Sequence, residues 1–264
     1  MIEASRIAVI IVLYHPSAED TDFVTHIKEL YHTVVIDNST ENKGIAEAQN
    51  QGLRSLLGRN DITHVVFLDQ DSRVADDYPL AIAGEFDCIS QTRQLAMLGP
   101  SVENIETGQT YKSVIHKDRM SENGFIPRRE LISSGGCTTI ECLKDIGLND
   151  GSLFIDYVDF EWCWRANSKG YVCGITPNIS ISHHVGRKAI SLFGYLIIIS
   201  APGRYFYQFR NYLWLVRRKY VPLQWKIATG IKCAARLIYF PLCIPSGAKC
   251  WKNMLKGIRA GLKK

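Results

Sequence analysis

Within the first 72 residues, three short unbroken runs of β-branched and aliphatic residues alternate with two segments patterned as helices, and nothing else in the chain limits its fold as strongly. Ile7–Leu13, residues 33–36 and residues 64–68 read as strands buried on both faces, because a strand with one wet face would alternate apolar with polar side chains. Ala18–Leu30 sets Phe23, Val24, Ile27 and Leu30 at helical spacing, and residues 46–57 repeat the pattern. Such alternation predicts the α/β class, with a mostly parallel, Rossmann-like central sheet and helices on both of its faces. Ligands of these sheets gather beyond the carboxyl ends of the strands. Here those ends carry Tyr14-His15-Pro16, Asp37-Asn38-Ser39 and Asp69-Gln70-Asp71-Ser72.

The remainder is patterned less strictly. A helix is expected near residues 81–91, a strand near 95–99, and a loop-rich section after it. Residues 132–140 contain Ser133-Ser134-Gly135-Gly136, small residues that let backbone come close to a ligand. From about residue 205 aromatic and basic residues interleave at helical spacing, which suggests a division into 1–204 and a helical extension, 205–264. The net charge of +5 hides a split: residues 1–161 hold 13 Lys and Arg against all 26 acids, whereas residues 162–264 hold 18 Lys and Arg and no acid. A stretch so lacking in carboxylates wants an anionic partner, whether nucleic acid, acidic lipid or substrate phosphate.

Several classes fall away. With 46% hydrophobic and 22% charged residues the chain is neither collagen-like nor wholly disordered. Its eight cysteines include no CxxC pair, so they read as reduced packing residues rather than a zinc site or disulfide framework. The first apolar run lacks the form of a secretory signal, so a cytoplasmic start is expected, and the run at 189–201 is shorter than the roughly 20 residues needed to cross a bilayer.

Three clusters carry chemistry. Asp69-Gln70-Asp71 sets two carboxylates after a buried strand, where both can face one hard cation such as Mg²⁺ or Mn²⁺. The ordinary alternative is that Asp71 caps the next helix while Asp69 stays solvated. Asp156, Asp159 and Glu161 lie in an otherwise aromatic segment that begins a helix. They can serve as capping acids, or one can be a general base with a raised pKa. His183 and His184 follow an apolar strand-like run, as surface histidines or metal ligands.

Taken together, and in this order, these segments resemble the family 2 inverting glycosyltransferases of GT-A fold, in particular their rhamnosyltransferase branch. The similarity runs through "VLYHP" at 12–16, "VVIDNST" at 34–40, "NKGIAEAQNQG" at 42–52, "FLDQDS" at 67–72, "SSGGCTTI" at 133–140, "YVDFEWCWR" at 157–165, "SHHVG" at 182–186 and "APGRYFYQFRN" at 201–211. The resemblance implies a GT-A catalytic domain over 1–204. It implies a nucleotide-sugar donor, dTDP-L-rhamnose ahead of UDP-hexoses, bound by Tyr14, Asp37, Asn38, Lys43, Gly44, Asp69, Gln70, Arg204 and Arg210. Mg²⁺ or Mn²⁺ would be held by Asp69, Asp71 and His183, with His184 an open alternative. Asp159 would be the base, and Gly135, Gly136, Asp156 and Glu161 would lie on the acceptor side. The family's usual acidic pair is Val158-Asp159 here, with Asp156 and Glu161 nearby, so Asp159 leads Asp156 only narrowly.

The same resemblance gives the basic extension a role. Its helices, with Trp214, Trp225 and Trp251, would lie in an anionic membrane interface on the cytoplasmic side, beside a lipid-linked saccharide acceptor, and no nucleic acid is involved. A solvated basic face is the plainer alternative, and pairing of these helices in a homodimer stays open. Two rivals to a transferase remain. A phosphohydrolase of the haloacid dehalogenase type would also place DxD after a parallel strand, though usually the first. An RNA-binding protein would use the basic aromatic tail and leave the acidic strand ends without a purpose.

Overall fold

The structure is a computed structural model that describes residues 2–104, 124–183, 189–192 and 195–263, with backbone alone for 102–104, 182–183, 189–192 and 195–198. Its strands are β1 (Ile7–Leu13), β2 (His32–Asp37), β3 (His64–Asp69), β4 (Leu95–Asn104), β5 (Ile126–Arg128), β6 (Cys137–Thr139), β7 (Val172–His183), β8 (Ala189–Leu192) and β9 (Tyr195–Ile198). The helices are α1 (Ala18–Leu30), α2 (Gly44–Leu56), α3 (Tyr78–Ser90), α4 (Ile140–Ile146), α5 (Val158–Ser168), α6 (Arg204–Leu215), α7 (Leu223–Cys243) and α8 (Gly247–Leu262). They form two compact units, one of Met1–Ser152 with Val158–His184, the other of Leu153–Tyr157 with Val185–Lys264. The division expected at 204/205 instead runs through the second unit, at the start of α6.

The first unit is built on a seven-stranded sheet ordered β2-β1-β3-β6-β4-β7-β5. β1 pairs in parallel with β2 and β3, and β4 with β7, while β6 and β5 run against their neighbours. Five of the seven strands therefore point one way. The unbroken apolar composition of β1 has its cause in burial, for Ile7 through Ile11 are all at most 1% exposed. Helix α1 begins where Ser17 and Asp20 cap each other reciprocally: the Ser17 hydroxyl accepts from the Asp20 amide at 3.2 Å, and the Asp20 carboxylate accepts from the Ser17 amide at 2.9 Å. Helix α2 buries Leu53 and Leu56 in the same core as β1. Six of the eight cysteines are buried and all are free thiols.

Register brings the polar strand ends to one edge. Asp37 lies opposite Leu13, and Asp69 opposite Val12, so the tips of β1, β2 and β3 finish level. The antiparallel β6 starts beside the end of β3, with Cys137 opposite Val66. The turn before it extends that pairing, the Gly135 amide donating to the Phe67 carbonyl at 2.7 Å and the Phe67 amide to the Gly136 carbonyl at 2.9 Å. This places the small-residue turn against the strand that carries the paired aspartates.

The second unit has its own core of Tyr205, Phe209, Cys233, Phe240, Ile244, Cys250 and Met254. Helix α8 lies close against α6 because Gly257 and Gly261 leave no side chain between them; a Cβ at Gly257 would fall 2.4 Å from the Phe206 carbonyl oxygen. The apolar stretch at 189–201 contains the β8–β9 hairpin. Among the described residues no helix is long and apolar enough to cross a membrane.

Candidate active site

Asp159 is the second residue of α5, half-buried, and its carboxylate accepts hydrogen bonds from both the amide and the hydroxyl of Ser133. Its pKa is pushed up to about 6, first by burial and then by the negative charge of Asp69, against the Ser133 bonds that hold it down. Asp69, at the tip of β3, and Asp159 therefore share one electrostatic neighbourhood. A carboxyl group with this pKa is ionised at neutral pH yet basic enough to take a proton.

Ser133 does not stand alone. Gln49 of α2, buried, donates from Nε2 to the Ser133 hydroxyl oxygen at 3.1 Å, and Asn149 Nδ2 donates to Gln49 Oε1 at 2.9 Å. Asn50 and Asn149 exchange two further bonds at 2.9 Å. Gln49 has both its donor and its acceptor fixed, so Ser133 Oγ accepts from it and the Ser133 hydroxyl hydrogen is free to point at Asp159. Neither Gln49 nor Asn149 is singled out by the sequence, where Ser133 reads only as a small residue. The available signal was a pair of amides, Gln49-Asn50, inside a helix that otherwise buries apolar residues.

The turn beside Ser133 is locked by Gly135, whose φ of +73° is a left-handed conformation that favours glycine. A Cβ there would also meet the Tyr78 hydroxyl oxygen at 2.7 Å, the same hydroxyl that donates to the Gly135 carbonyl. Gly136 is tight too, its amide donating to the Ser133 carbonyl at 2.7 Å.

Along the strand tips the expected donor-side residues fall into two groups. Gln70 and Asn38 have their amides taken up internally. Gln70 Oε1 accepts from the Tyr14 amide at 2.6 Å while its Nε2 donates to the Tyr14 carbonyl and to Asp20, both at 3.3 Å. Asn38 Oδ1 accepts from the Lys43 amide at 2.8 Å, and its Nδ2 donates to Asn42. These two residues shape the loops. Tyr14, Asp37, Lys43 and Asp71 keep exposed side chains. Asp37 is held below the usual carboxylate range by the hydroxyl and amide of Ser39, which keeps it a firm negative charge at the tip of β2. Gly44 starts α2 with a φ of +79°.

For a metal, the tip of β3 offers the half-buried Asp69 and exposed Asp71, hard oxygen donors two residues apart. Among the described residues no three His, Cys, Asp or Glu side chains converge on a common point. Two carboxylates suit Mg²⁺ or Mn²⁺ when substrate phosphate and water oxygens complete the shell. His183 ends β7, but its side chain, like the whole of His184, lies outside the described residues. Glu161, expected near an acceptor, is 1% exposed and paired with Arg165 at 3.0 Å through both carboxylate oxygens, one turn along α5.

In the second unit, residues 153–157 form a strained turn. Phe154, Asp156 and Tyr157 all have φ of 65–66°, a conformation that costs an L-residue about 1–2 kcal/mol. Helix α6 holds it in place. The fully buried Asn211 donates from Nδ2 to the carbonyls of Leu153, Ile155 and Asp156 at 2.8–3.1 Å, and Arg210 reaches the Leu153 carbonyl at 2.9 Å while lying over Trp214 at 4.3 Å. Arg204 grips the Asp156 carboxylate through Nε and an Nη at 3.2 and 2.6 Å. Thus Arg204, Arg210 and Asp156, expected at the diphosphate and the acceptor, are engaged with one another's turn. Trp225 packs edge-on against Tyr157 at 5.1 Å.

No protein-family model matches the chain. Among curated proteins it is similar to dTDP-rhamnosyl transferase RfbF of Shigella flexneri, 30% identical over 249 residues that cover 83% of this chain and 82% of that one. Among solved structures, S. aureus TarS 1-349 in complex with UDP-GlcNAc shares the fold at a TM-score of 0.56 and 13% identity, over 97% of this chain and 81% of that one. GalNAc-T7, solved with UDP, GalNAc and Mn²⁺, is fainter, at a TM-score of 0.48 and 14% identity, with 71% of this chain matched and only 44% of that chain's length spanned.

Proposed function

Since the chain belongs to the rhamnosyltransferase-like family 2 glycosyltransferases of GT-A fold, and so uses a nucleotide sugar, we propose that it moves L-rhamnose from dTDP-L-rhamnose to a hydroxyl of a lipid-linked saccharide, with inversion at the anomeric carbon. The observation that carries this reading is the Asp159 carboxylate, held by Ser133 and electrostatically coupled to Asp69 at the end of β3. It pairs a base with the tip that suits a diphosphate. Neither rival explains this arrangement.

Asp159 accepts the proton of the acceptor hydroxyl as its oxygen attacks the sugar's C1 from the face opposite the diphosphate. The new C–O bond forms while the old one breaks, and its electron pair leaves on the terminal phosphate oxygen of dTDP. One displacement inverts the centre, so no covalent enzyme intermediate forms. Asp37, Tyr14, Lys43 and Gly44 bind and orient the nucleotide. Asn38 and Gln70 fix the loops that carry them, and Gly135 and Gly136 let the acceptor approach the base. Arg204, Arg210 and Asn211 keep the turn preceding α5 in its strained form. Mg²⁺ or Mn²⁺, held by Asp69 and Asp71 and completed by donor phosphate oxygens, would neutralise the charge that builds on the leaving diphosphate. A lipid-linked acceptor puts the enzyme on the inner face of the cell membrane as a peripheral protein, which its acid-free C-terminal third supports.

A thermal-shift panel of dTDP-L-rhamnose, UDP-glucose and UDP-GlcNAc with and without Mn²⁺ tests the donor. The expected result is a metal-enhanced shift with the dTDP sugar. Equal, metal-independent shifts with every sugar, or none, would reject the reading.

A further inference from the structure

Helix α7 leaves one face without a partner in the second unit. Leu223, Ile227, Ile231, Ile238 and Leu242 are between 55% and 81% exposed, and their spacing puts all five within an arc of about 100°. On the opposite side Thr229, Cys233 and Phe240 are buried, the last two in the core with α6 and α8. A soluble surface helix normally reverses this pattern of exposure. Exposed basic groups lie on the same pair of helices: Lys232 on α7, and Lys249, Lys252, Lys256 and Arg259 on α8. No acid occurs anywhere from residue 162 to 264.

From this we infer that the exposed face of α7 lies in the plane of an anionic bilayer surface, its aliphatic side chains among the acyl chains and its lysines at the headgroups. Charge selects this occupant. A second copy would bring another acid-free surface against the first, and like charges would meet across the contact. The helix has 21 residues but does not meet the hydropathy of a membrane-crossing segment, which fits a helix lying on the surface rather than passing through it. The tryptophans expected at the interface are each less exposed than the aliphatic stripe: Trp214 and Trp225 are half-buried, and Trp251, at 36%, donates its indole N–H to the Leu237 carbonyl. Trp225 packs on Tyr157 and Tyr212, and Trp214 lies under Arg210. The anchor is aliphatic, at positions whose exposure the sequence does not reveal. The inference deepens the lipid-acceptor reading and rests on it for its purpose.

The test is sedimentation of the full chain with vesicles of phosphatidylcholine, alone or with about a quarter phosphatidylglycerol, at low and high salt. A second arm measures the thermal shift caused by dTDP without vesicles. The wild type should bind anionic vesicles far more tightly than neutral ones. The double variant Ile231→Ser and Ile238→Ser should lose about tenfold in affinity per substitution, about a hundredfold together, with its dTDP shift unchanged. Loss of vesicle binding in the variant, with no dTDP shift in either protein, would still support the α7 face while sinking the transferase reading. Wild-type protein that shifts with dTDP yet stays in the supernatant would overturn the inference and leave the transferase reading intact. Equal vesicle binding by variant and wild type would overturn it as well, as would a concentration-dependent dimer that the double variant abolishes without any vesicle binding.

Discussion

Replacing Ser133 with alanine removes the hydroxyl that donates to Asp159 while leaving the second donor, the Ser133 amide, in place. Burial and Asp69 then act against one stabilising bond instead of two, so the Asp159 pKa rises from about 6. A hydrogen bond to an ionised group is worth about 1.5–3 kcal/mol and water recovers part of it, which leaves a rise of about one unit, or about 1.4 kcal/mol. A base must be ionised to accept a proton. With a pKa near 6, about nine molecules in ten are competent at pH 7 and half at pH 6. After the substitution the competent fraction becomes about half at pH 7 and about a tenth at pH 6. Turnover with both substrates saturating should thus fall about twofold at pH 7, about fivefold at pH 6, and hardly at all at pH 8 or above. A divalent ion at Asp69 would weaken the like-charge push and lower both acid limbs, but it leaves the sign of their separation unchanged. The assay is a pH profile of kcat between about pH 5 and 9. A limb that does not move, or a uniform loss at every pH, would refute the idea that the Ser133 hydroxyl tunes this carboxylate.

Other consequences can be measured without turnover. Because the folded pKa of Asp159 is raised from 3.8 to about 6, its contribution to stability is fully present below about pH 4 and is lost as pH rises through 6. Asp159→Asn should therefore stabilise the protein by up to about 3 kcal/mol at pH 8 and not at all near pH 4, as read by denaturant melts; an equal effect at both pH values would contradict this. Asn211→Ala strips three buried carbonyls of a donor and frees the left-handed turn, so Tm should drop by about 5–10 °C, and a drop under about 2 °C would show that the clamp carries little. Asp71→Asn should raise the Mn²⁺ concentration needed for half-maximal activity at least about tenfold, and an unchanged requirement would remove Asp71 from the metal site.

The sequence made the sheet legible where burial dictates composition. β1 and β3 are apolar because both faces are covered, and their polar tips followed directly. β2, expected to be buried on both faces, is instead the edge strand of the sheet and only half-buried, so its apolar run overstated its burial. The extent of α1 was legible for a similar reason, since its apolar residues keep helical spacing from end to end. What stayed hidden depends on contacts between distant residues. Ser133 and Asp159 are 26 positions apart, and a serine in a small-residue turn carries no mark of its hydrogen-bond partner. Gln49 looks like a solvated helix residue until α2 is seen to turn it inward toward Ser133. The resemblance set Arg204 and Arg210 at the donor, whereas the turn at 153–157 that they hold, with three left-handed non-glycine residues, carried no sequence signal of needing a clamp. Likewise the tail's aromatic residues drew attention toward a membrane, but aromatic rings pair with one another readily, and it is the aliphatic stripe of α7 that remains uncovered.

In the proposed reaction one carboxylate beside the β3 tip activates the acceptor while other groups hold the donor. Calorimetric titration of dTDP-L-rhamnose into wild-type and Asp159→Asn protein, run alongside transfer to a lipid-linked acceptor with the product's anomeric configuration read by NMR, tests it most directly. Equal donor affinity, an inverted product from the wild type, and transfer reduced by at least about a hundredfold in the variant are expected. Undiminished transfer by Asp159→Asn, or a product that retains the donor's configuration, would contradict it.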